Sequence, residues 1–194
     1  SGILGFSLSL MIRLELMNYL FMSKSSFNMI ITIHAFIMIF FMTMPIIIGS
    51  FGNWLIPMMI GSSDMFFPRL NNLSLWLLLP SLMFMMLNML FKESINTGWT
   101  LYPPLMINNN ISMNLIIFSL HLNGLSSILS SINFIITIFN LNMNMMKLNN
   151  FSMYIWSMII TSYLLLLSLP ILASAITMIL LDSNFNSSFF NPMG

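Results

Sequence analysis

The chain has 194 residues, of which 58 % are apolar and only 5 % are charged. An average soluble protein carries about 25 % charged residues, so the composition excludes a soluble domain and predicts a chain surrounded by lipid. The formal net charge of +1 offers no basic surface for nucleic acid, and the absence of cysteine excludes disulfides and thiolate metal sites.

The long uncharged stretches predict an all-α, polytopic membrane bundle that forms a single transmembrane domain over residues 1–194. Each stretch exceeds the roughly 20 residues that a membrane helix needs. The apolar runs do not alternate with a period of two, which favours helices over strands. About five spans are predicted, at residues 3–16 (partial), 27–60, 68–90, 111–139 and 151–181. Because no initiator Met or charged leader opens the chain, we expect it to begin inside a longer protein.

Prolines and glycines predict irregularities in two of these spans. The second span contains Pro45, Gly49, Gly52 and Pro57, so a kink or a tilt is expected there. Pro68 suits the first turn of the third span, where an N–H group has no helical partner. Pro170 is expected to interrupt the fifth span.

Two histidines lie within apolar runs, His34 in ITIHAFIMIFF and His121 in FSLHLNG. Ionisable groups inside a membrane are costly and often functional. A neutral imidazole in apolar surroundings suits an iron or copper ion, but a structural histidine bonded to a neighbouring helix explains His34 equally well. His121 is either a ligand partner of His34 or, more simply, a hydrogen-bonded packing residue.

A carboxylate follows the second span in GSSDMFFPRL. Asp64 and Arg69 suit a weak surface ion pair. Alternatively, Asp64 is a proton acceptor at the mouth of a polar path, and Asn53 lies toward the same end of the second span.

The fourth span carries a polar stripe, which we define as Asn123, Ser126, Ser130, Asn133 and Thr137. Their spacing of three or four residues places them on one helix face over about 21 Å. The stripe is typical of a wall that holds water across a membrane. Helix packing through small residues is the alternative, although packing explains the amides less well because each needs several partners.

These stretches together closely resemble subunit I of the cytochrome c oxidases, a haem-copper oxidase family. The resemblance is carried by HAFIMIFFMTMPIIIGSFGNWLIPMMIGSSDMFFPRLNNLSLWLL, GWTLYPPL, FSLHLNGLSSILSSINFIITI, LLLLSLPILASAITMILLD and SSFFNPMG, while SGILGFSLSLMIRLEL matches the first span of that subunit. Family chains are more than twice as long, so the resemblance implies an internal fragment of the amino-terminal half, most similar to animal mitochondrial versions.

The resemblance implies electron transfer from cytochrome c to oxygen, coupled to proton pumping. By matching position, His34 would be one axial ligand of the low-spin haem a iron, and Arg13 and Trp99 would contact that haem. His121 matches a position that is not a metal ligand. The residues implied along the proton channel are Asp64 at its entrance, then Asn53, Asn71, Ser126, Ser127 and Asn133.

The resemblance also implies cofactors and partners beyond these residues. The second haem, copper and their ligands would lie outside the fragment, so the fragment alone is expected to be inactive. The implied partners are the lipid bilayer of the mitochondrial inner membrane, other oxidase subunits and, through the complex, cytochrome c.

A composition with 23 Met and no Val fits an AT-rich mitochondrial gene. The alternatives are a quinol oxidase of the same superfamily and a membrane transporter or channel.

Overall fold

A computed structural model describes residues 1–17, 22–91, 97–103, 111–141 and 151–190, and the described residues form an all-α fold. The five helices are α1 (Gly2–Met17), α2 (Lys24–Ile60), α3 (Pro68–Asn88), α4 (Ile111–Asn140) and α5 (Met153–Asn184). The predicted fold class is therefore confirmed. By length and composition, α2 to α5 are each able to cross a membrane, whereas α1 has only 16 residues.

Local sequence signals fix where these helices begin and end. Ser23 and Ser152 cap α2 and α5, because their side chains accept hydrogen bonds from the N–H groups of Ser26 and Ile155. Pro68 occupies the first turn of α3, as predicted. Gly61 ends α2 in the left-handed conformation, with φ 80°, and its N–H group donates to the Pro57 carbonyl.

The middle of α2, where a kink or a tilt was predicted, is wound as a π-helix. Two consecutive π segments, Ile37–Thr43 and Pro45–Gly52, connect α-helical turns on either side. The hydroxyls of Thr43 and Ser50 each donate to the carbonyl five residues earlier, which matches the wider winding. Wide turns accommodate a proline, which cannot donate a backbone hydrogen bond. The prolines and glycines of the second span therefore coincide with a change of winding along one continuous helix.

Pro170 does not interrupt α5, so that prediction was wrong. The helix runs from Met153 to Asn184 with Pro170 inside it, and α3 likewise continues through Pro80. A proline removes one backbone hydrogen bond. Within a bilayer no water competes for the remaining bonds, and membrane helices therefore tolerate proline better than soluble ones do.

The helices pack through small polar side chains as well as apolar ones. α3 and α4 form the most extensive pair, α4 packs next on α5, and α1 lies against α2. Ser81 and Ser119 are fully buried between α3 and α4. Each hydroxyl donates to the other residue's carbonyl oxygen at 2.7 Å. Such small residues allow two helix backbones to approach closely.

The buried core is divided into two apolar clusters. The first contains Phe36, Ile37, Met85 and Ile116, and it joins α1, α2, α3, the first turns of α4 and part of α5. The second contains Phe134 with residues from the last turns of α2 and the first turns of α5. Along α4, the polar residues from Asn123 to Asn133 lie between the two clusters, so a polar layer separates two apolar ends.

Gly52 lies where α2 approaches the second apolar cluster, and we expect Gly52→Ala to destabilise the bundle. An added Cβ would meet Met158 Cε at 2.8 Å and Phe134 Cζ at 2.9 Å. Overpacking of this kind costs about 1–3 kcal/mol, which thermal unfolding in lipid nanodiscs measures. Gly49→Ala is the matched control, because an added Cβ there meets nothing within 4 Å. Equal unfolding temperatures for the two variants would contradict this packing.

Candidate functional site

His34 is held by a backbone group of the neighbouring helix. Its Nδ1 lies 2.9 Å from the carbonyl oxygen of Gly5 in α1. A carbonyl can only accept a hydrogen bond, so Nδ1 carries the proton and, in the neutral ring, Nε2 keeps a free lone pair. Histidines that bind metals commonly donate their other N–H group to a carbonyl in this way. The arrangement satisfies both interpretations of His34, because the ring is bonded to a neighbouring helix and still has one nitrogen free.

Gly5 makes this contact possible because it has no side chain. It is buried, and a Cβ added to it would collide with Sδ of Met38 and lie 2.9 Å from its Cγ. Met38 lies one helical turn after His34 on α2. The close approach of α1 to α2 at this glycine brings the Gly5 carbonyl within reach of the imidazole.

The site around His34 offers one protein nitrogen and no cluster of protein ligands. Within the described ranges, no group of three or more His, Cys, Asp or Glu side chains could hold a metal ion. A bare zinc or copper ion usually needs three or four protein ligands. A porphyrin supplies four nitrogens of its own, so a single imidazole is sufficient for one axial position.

A cavity of about 210 Å³ lies between α2, α3 and α4. At roughly 30 Å³ for each water in the liquid, it has room for several waters. Four of the predicted channel residues line it together: Asn53, Asn71, Ser126 and Ser127. Ser74, Asn123 and Ser130 add to its polar lining.

The polar stripe faces the interior of the bundle. Asn123, Ser126, Asn133 and Thr137 are each less than 5 % exposed, and Ser130 is half-buried. Two of them bond to other helices: the Ser126 hydroxyl donates to the Ser74 carbonyl at 2.7 Å, and Asn123 Nδ2 donates to the Phe40 carbonyl at 3.2 Å. The stripe therefore packs against other helices, and three of its members, Asn123, Ser126 and Ser130, also line the cavity.

Asn53 and Asn71 connect α2 to α3 at the cavity. Asn53 Nδ2 donates to Asn71 Oδ1 at 3.0 Å. Asn53 Oδ1 is buried and has no hydrogen-bond partner within the described part of the chain. An unpaired buried acceptor costs about 1–3 kcal/mol, and buried water is the usual partner of such a group. This amide oxygen is the best indication that the cavity is wet.

Asn133 lies on α4 beyond the 210 Å³ cavity and holds the loop that follows Asp64. Its amide pairs with the backbone of Phe67: the Phe67 N–H donates to Oδ1 at 3.0 Å, and Nδ2 donates to the Phe67 carbonyl at 3.2 Å. Asp64 is exposed in this loop, and one of its carboxylate oxygens accepts the Met65 N–H at 2.7 Å. Asp64 is exposed and forms no ion pair with Arg69 or with any other cationic side chain among the described residues.

Arg13 and Trp99 lie apart from these groups. Arg13 is exposed on α1, eight residues after Gly5, which corresponds to about 12 Å along the helix axis. Trp99 is 55 % exposed in the segment 97–103. Neither forms a hydrogen bond to the other described residues. Both side chains are therefore free to contact a group that lies against the outside of this bundle.

His121 faces a second cavity, of about 410 Å³, between α4 and α5. The imidazole makes no hydrogen bond to any described residue, although it is half-buried. Its position away from Gly5 and His34 gives no support to a shared metal site. The simpler interpretation, a hydrogen-bonded packing residue, also lacks the required partner in the described part of the bundle.

Sequence reasoning missed two groups that hold this site. The Gly5 carbonyl orients His34, and the Phe67 backbone binds Asn133. Backbone groups leave no side-chain pattern to recognise. The one available signal was a glycine within α1, since a glycine inside a helix marks a possible close approach of two backbones.

Comparisons with known proteins place the chain in a family. The family described as "Cytochrome C and Quinol oxidase polypeptide I" matches residues 1–194. Two curated relatives are both named cytochrome c oxidase subunit 1. The chain is 44 % identical to the one from Eremothecium gossypii over 200 residues and 47 % identical to the one from Yarrowia lipolytica over 201 residues. All of this chain is covered, but it spans only 37 % and 38 % of those relatives. With a match along its whole length, the chain belongs to the cytochrome c and quinol oxidase polypeptide I family.

Proposed function

We propose that these residues form part of the catalytic subunit of a terminal respiratory oxidase. The complete enzyme transfers electrons from cytochrome c to oxygen and pumps protons. Within it, this part of the subunit supplies one axial ligand of a low-spin haem and the first section of a proton path. The family match supports the enzyme class, and the Nδ1 contact between His34 and Gly5 is the single observation that carries the ligand assignment.

His34 fits the axial position by its donor chemistry. The Gly5 carbonyl holds the ring in the tautomer that presents the lone pair of Nε2. Hydrogen bonding at Nδ1 makes Nε2 more basic and therefore a stronger electron-pair donor to a metal. The bound haem supplies one-electron redox chemistry. The role of His34 is to fix the position of the iron relative to α1 and α2. We assign Arg13 and Trp99 to the same haem as polar contacts, supported by their matching positions and their exposure.

The proton path begins at Asp64 and continues into the polar cavity. Asp64 takes up protons at the exposed loop, and Asn133 keeps that loop in place through Phe67. Asn53, Asn71, Ser126 and Ser127 then line the space in which water carries the proton. Hydroxyls and amides support such a water chain because they both donate and accept hydrogen bonds. None of these side chains except Asp64 needs to change its charge.

Oxygen reduction requires groups outside this part of the subunit. We assign the second haem, copper and their ligands to the rest of the subunit, so these 194 residues alone are inactive. The complete subunit works with other oxidase subunits in the mitochondrial inner membrane. Cytochrome c is the favoured electron donor because both relatives are named cytochrome c oxidase, although the family description also covers quinol oxidases.

The proposed activity is tested with the purified oxidase complex that contains this subunit. Oxygen consumption should follow addition of reduced cytochrome c, the medium outside reconstituted vesicles should acidify transiently, and the optical spectrum should contain a low-spin haem. Oxygen consumption with a quinol but not with cytochrome c would transfer the assignment to a quinol oxidase. A purified complex without haem would reject both and favour a transporter or a channel.

A further inference from the structure

The two cavities of the bundle share one wall. Phe40, Asn123 and Ser127 line both the polar cavity and the larger cavity that contains His121. Two of these three residues have polar side chains, and both lie on α4. The larger cavity is otherwise mainly apolar, with Phe118, Leu169 and Leu172 among its lining residues. The imidazole of His121 thus lies in an apolar space whose boundary with the wet cavity is polar.

The shared wall retains hydrogen-bonding capacity toward water. Asn123 uses Nδ2 to bind the Phe40 carbonyl, which leaves its Oδ1 without a donor among the described residues. The Ser127 hydroxyl donates to the Asn123 and Gly124 carbonyls at 3.0 and 2.9 Å, so its oxygen can still accept. These two acceptors allow a water on either side of the wall to bind, and the wall is one side chain thick.

His121 is the one titratable group among the described residues that line the larger cavity. The hydroxyl of Thr177, on the opposite wall, already donates to the Ser174 carbonyl at 2.7 Å. An imidazole without a hydrogen-bond partner inside a membrane is costly unless water satisfies it. No described side chain bonds to the ring, and Asn123 and Ser127 are the polar lining residues of this cavity that also border the polar cavity.

We propose that His121 is a proton acceptor supplied from the polar cavity through Asn123 and Ser127. Water passes the proton along the wall to an imidazole nitrogen, and no bond between heavy atoms forms or breaks. This proposal extends the proposed proton path, since it needs that path to hold water. It adds a side branch that ends at a titratable group on α4.

The test measures hydrogen–deuterium exchange at the His121 ring in the complete oxidase. Ring-15N-labelled histidine and infrared difference spectroscopy in D2O isolate the His121 signal as the band that His121→Gln removes. The wild-type band should shift as the ring gains a proton with falling pH and should exchange with solvent. Asn123→Leu, which removes one of the two polar side chains of the shared wall, should slow that exchange by about tenfold, the factor expected for losing one buried hydrogen-bond partner.

Thr177→Val is the matched control because it removes a hydroxyl from the same cavity but not from the shared wall. Exchange at His121 should be unchanged in that variant. An imidazole that shows no pH-dependent band, or that exchanges equally fast in Asn123→Leu and the wild type, would overturn the proposal. If His121→Gln fails to assemble, His121→Asn assigns the band instead, and the Asn123 and Thr177 variants are then compared in the same way. A separate variant, Asp64→Asn, tests the proposed entrance of the proton path, and its outcome is independent of this one because deuterium reaches the cavity in water whether or not residue 64 titrates.

Discussion

Replacing His34 with alanine is expected to remove the low-spin haem band from the reduced-minus-oxidised spectrum of the complete oxidase. Alanine has no atom that can replace Nε2, and no cluster of three or more His, Cys, Asp or Glu side chains that could hold a metal ion is present in the described part of the chain. Electron transfer to oxygen should stop with the loss of that haem. The measurement is an optical spectrum of the purified complex, with the haem content determined separately.

Two further variants distinguish ligation from packing. His121→Gln should keep the low-spin band, because that ring lies in the cavity between α4 and α5. Gly5→Ala should shift the band without removing it, because the added Cβ collides with Met38 and displaces the carbonyl that orients His34. An intact band in His34→Ala would reject the ligand assignment, and loss of the band in His121→Gln would transfer it to the other histidine.

Replacing Asp64 with asparagine is expected to lower the rate of proton uptake by about a hundredfold, the lower end of what a positioned proton-transfer group contributes. Asparagine is nearly the same size, and its side-chain oxygen can still accept the Met65 N–H. The loop therefore keeps its fold while losing its titratable group. Proton uptake is measured with a pH indicator in reconstituted vesicles during oxygen consumption.

Asp64→Glu provides the control because it restores a carboxylate at the exposed loop. Most of the proton-uptake rate should return in this variant, because the reference pKa of a glutamate side chain is close to that of aspartate. Unchanged pumping in Asp64→Asn would contradict the proposed path. If the Asn and Glu variants lose the same fraction of the proton-uptake rate, the geometry of the loop, and not the carboxylate charge, controls uptake.

The polar stripe on α4 was predictable because it depends on helical periodicity alone. Residues spaced three and four apart lie on one face of any α-helix, and an amide such as Asn133 must turn away from lipid to find a partner. The inward orientation follows from those two facts. The helices themselves were predictable for a related reason, since apolar runs of this length have few alternatives in a bilayer.

The features that escaped prediction depend on contacts between distant segments. The tautomer of His34 is set by a carbonyl in another helix, and the position of the loop after Asp64 is set by Asn133, 66 residues further along the chain than Phe67. The π winding of α2 shows a second limit of prediction from sequence, one that comes from local sequence itself. Pro45 and Gly49 indicate that something unusual occurs, but local sequence does not distinguish a bend from a wider turn.

With His34 as the proposed haem ligand, the contact between α1 and α2 bears on how the complete subunit is assembled. A ring that is oriented before iron arrives loses its rotational freedom during folding, so binding of the porphyrin does not have to supply that entropy later. The docking of α1 against α2 should therefore precede insertion of the prosthetic group. A subunit that has not yet made this contact would discriminate poorly among the metal complexes it meets, and the order of these two steps would serve as a checkpoint in biogenesis.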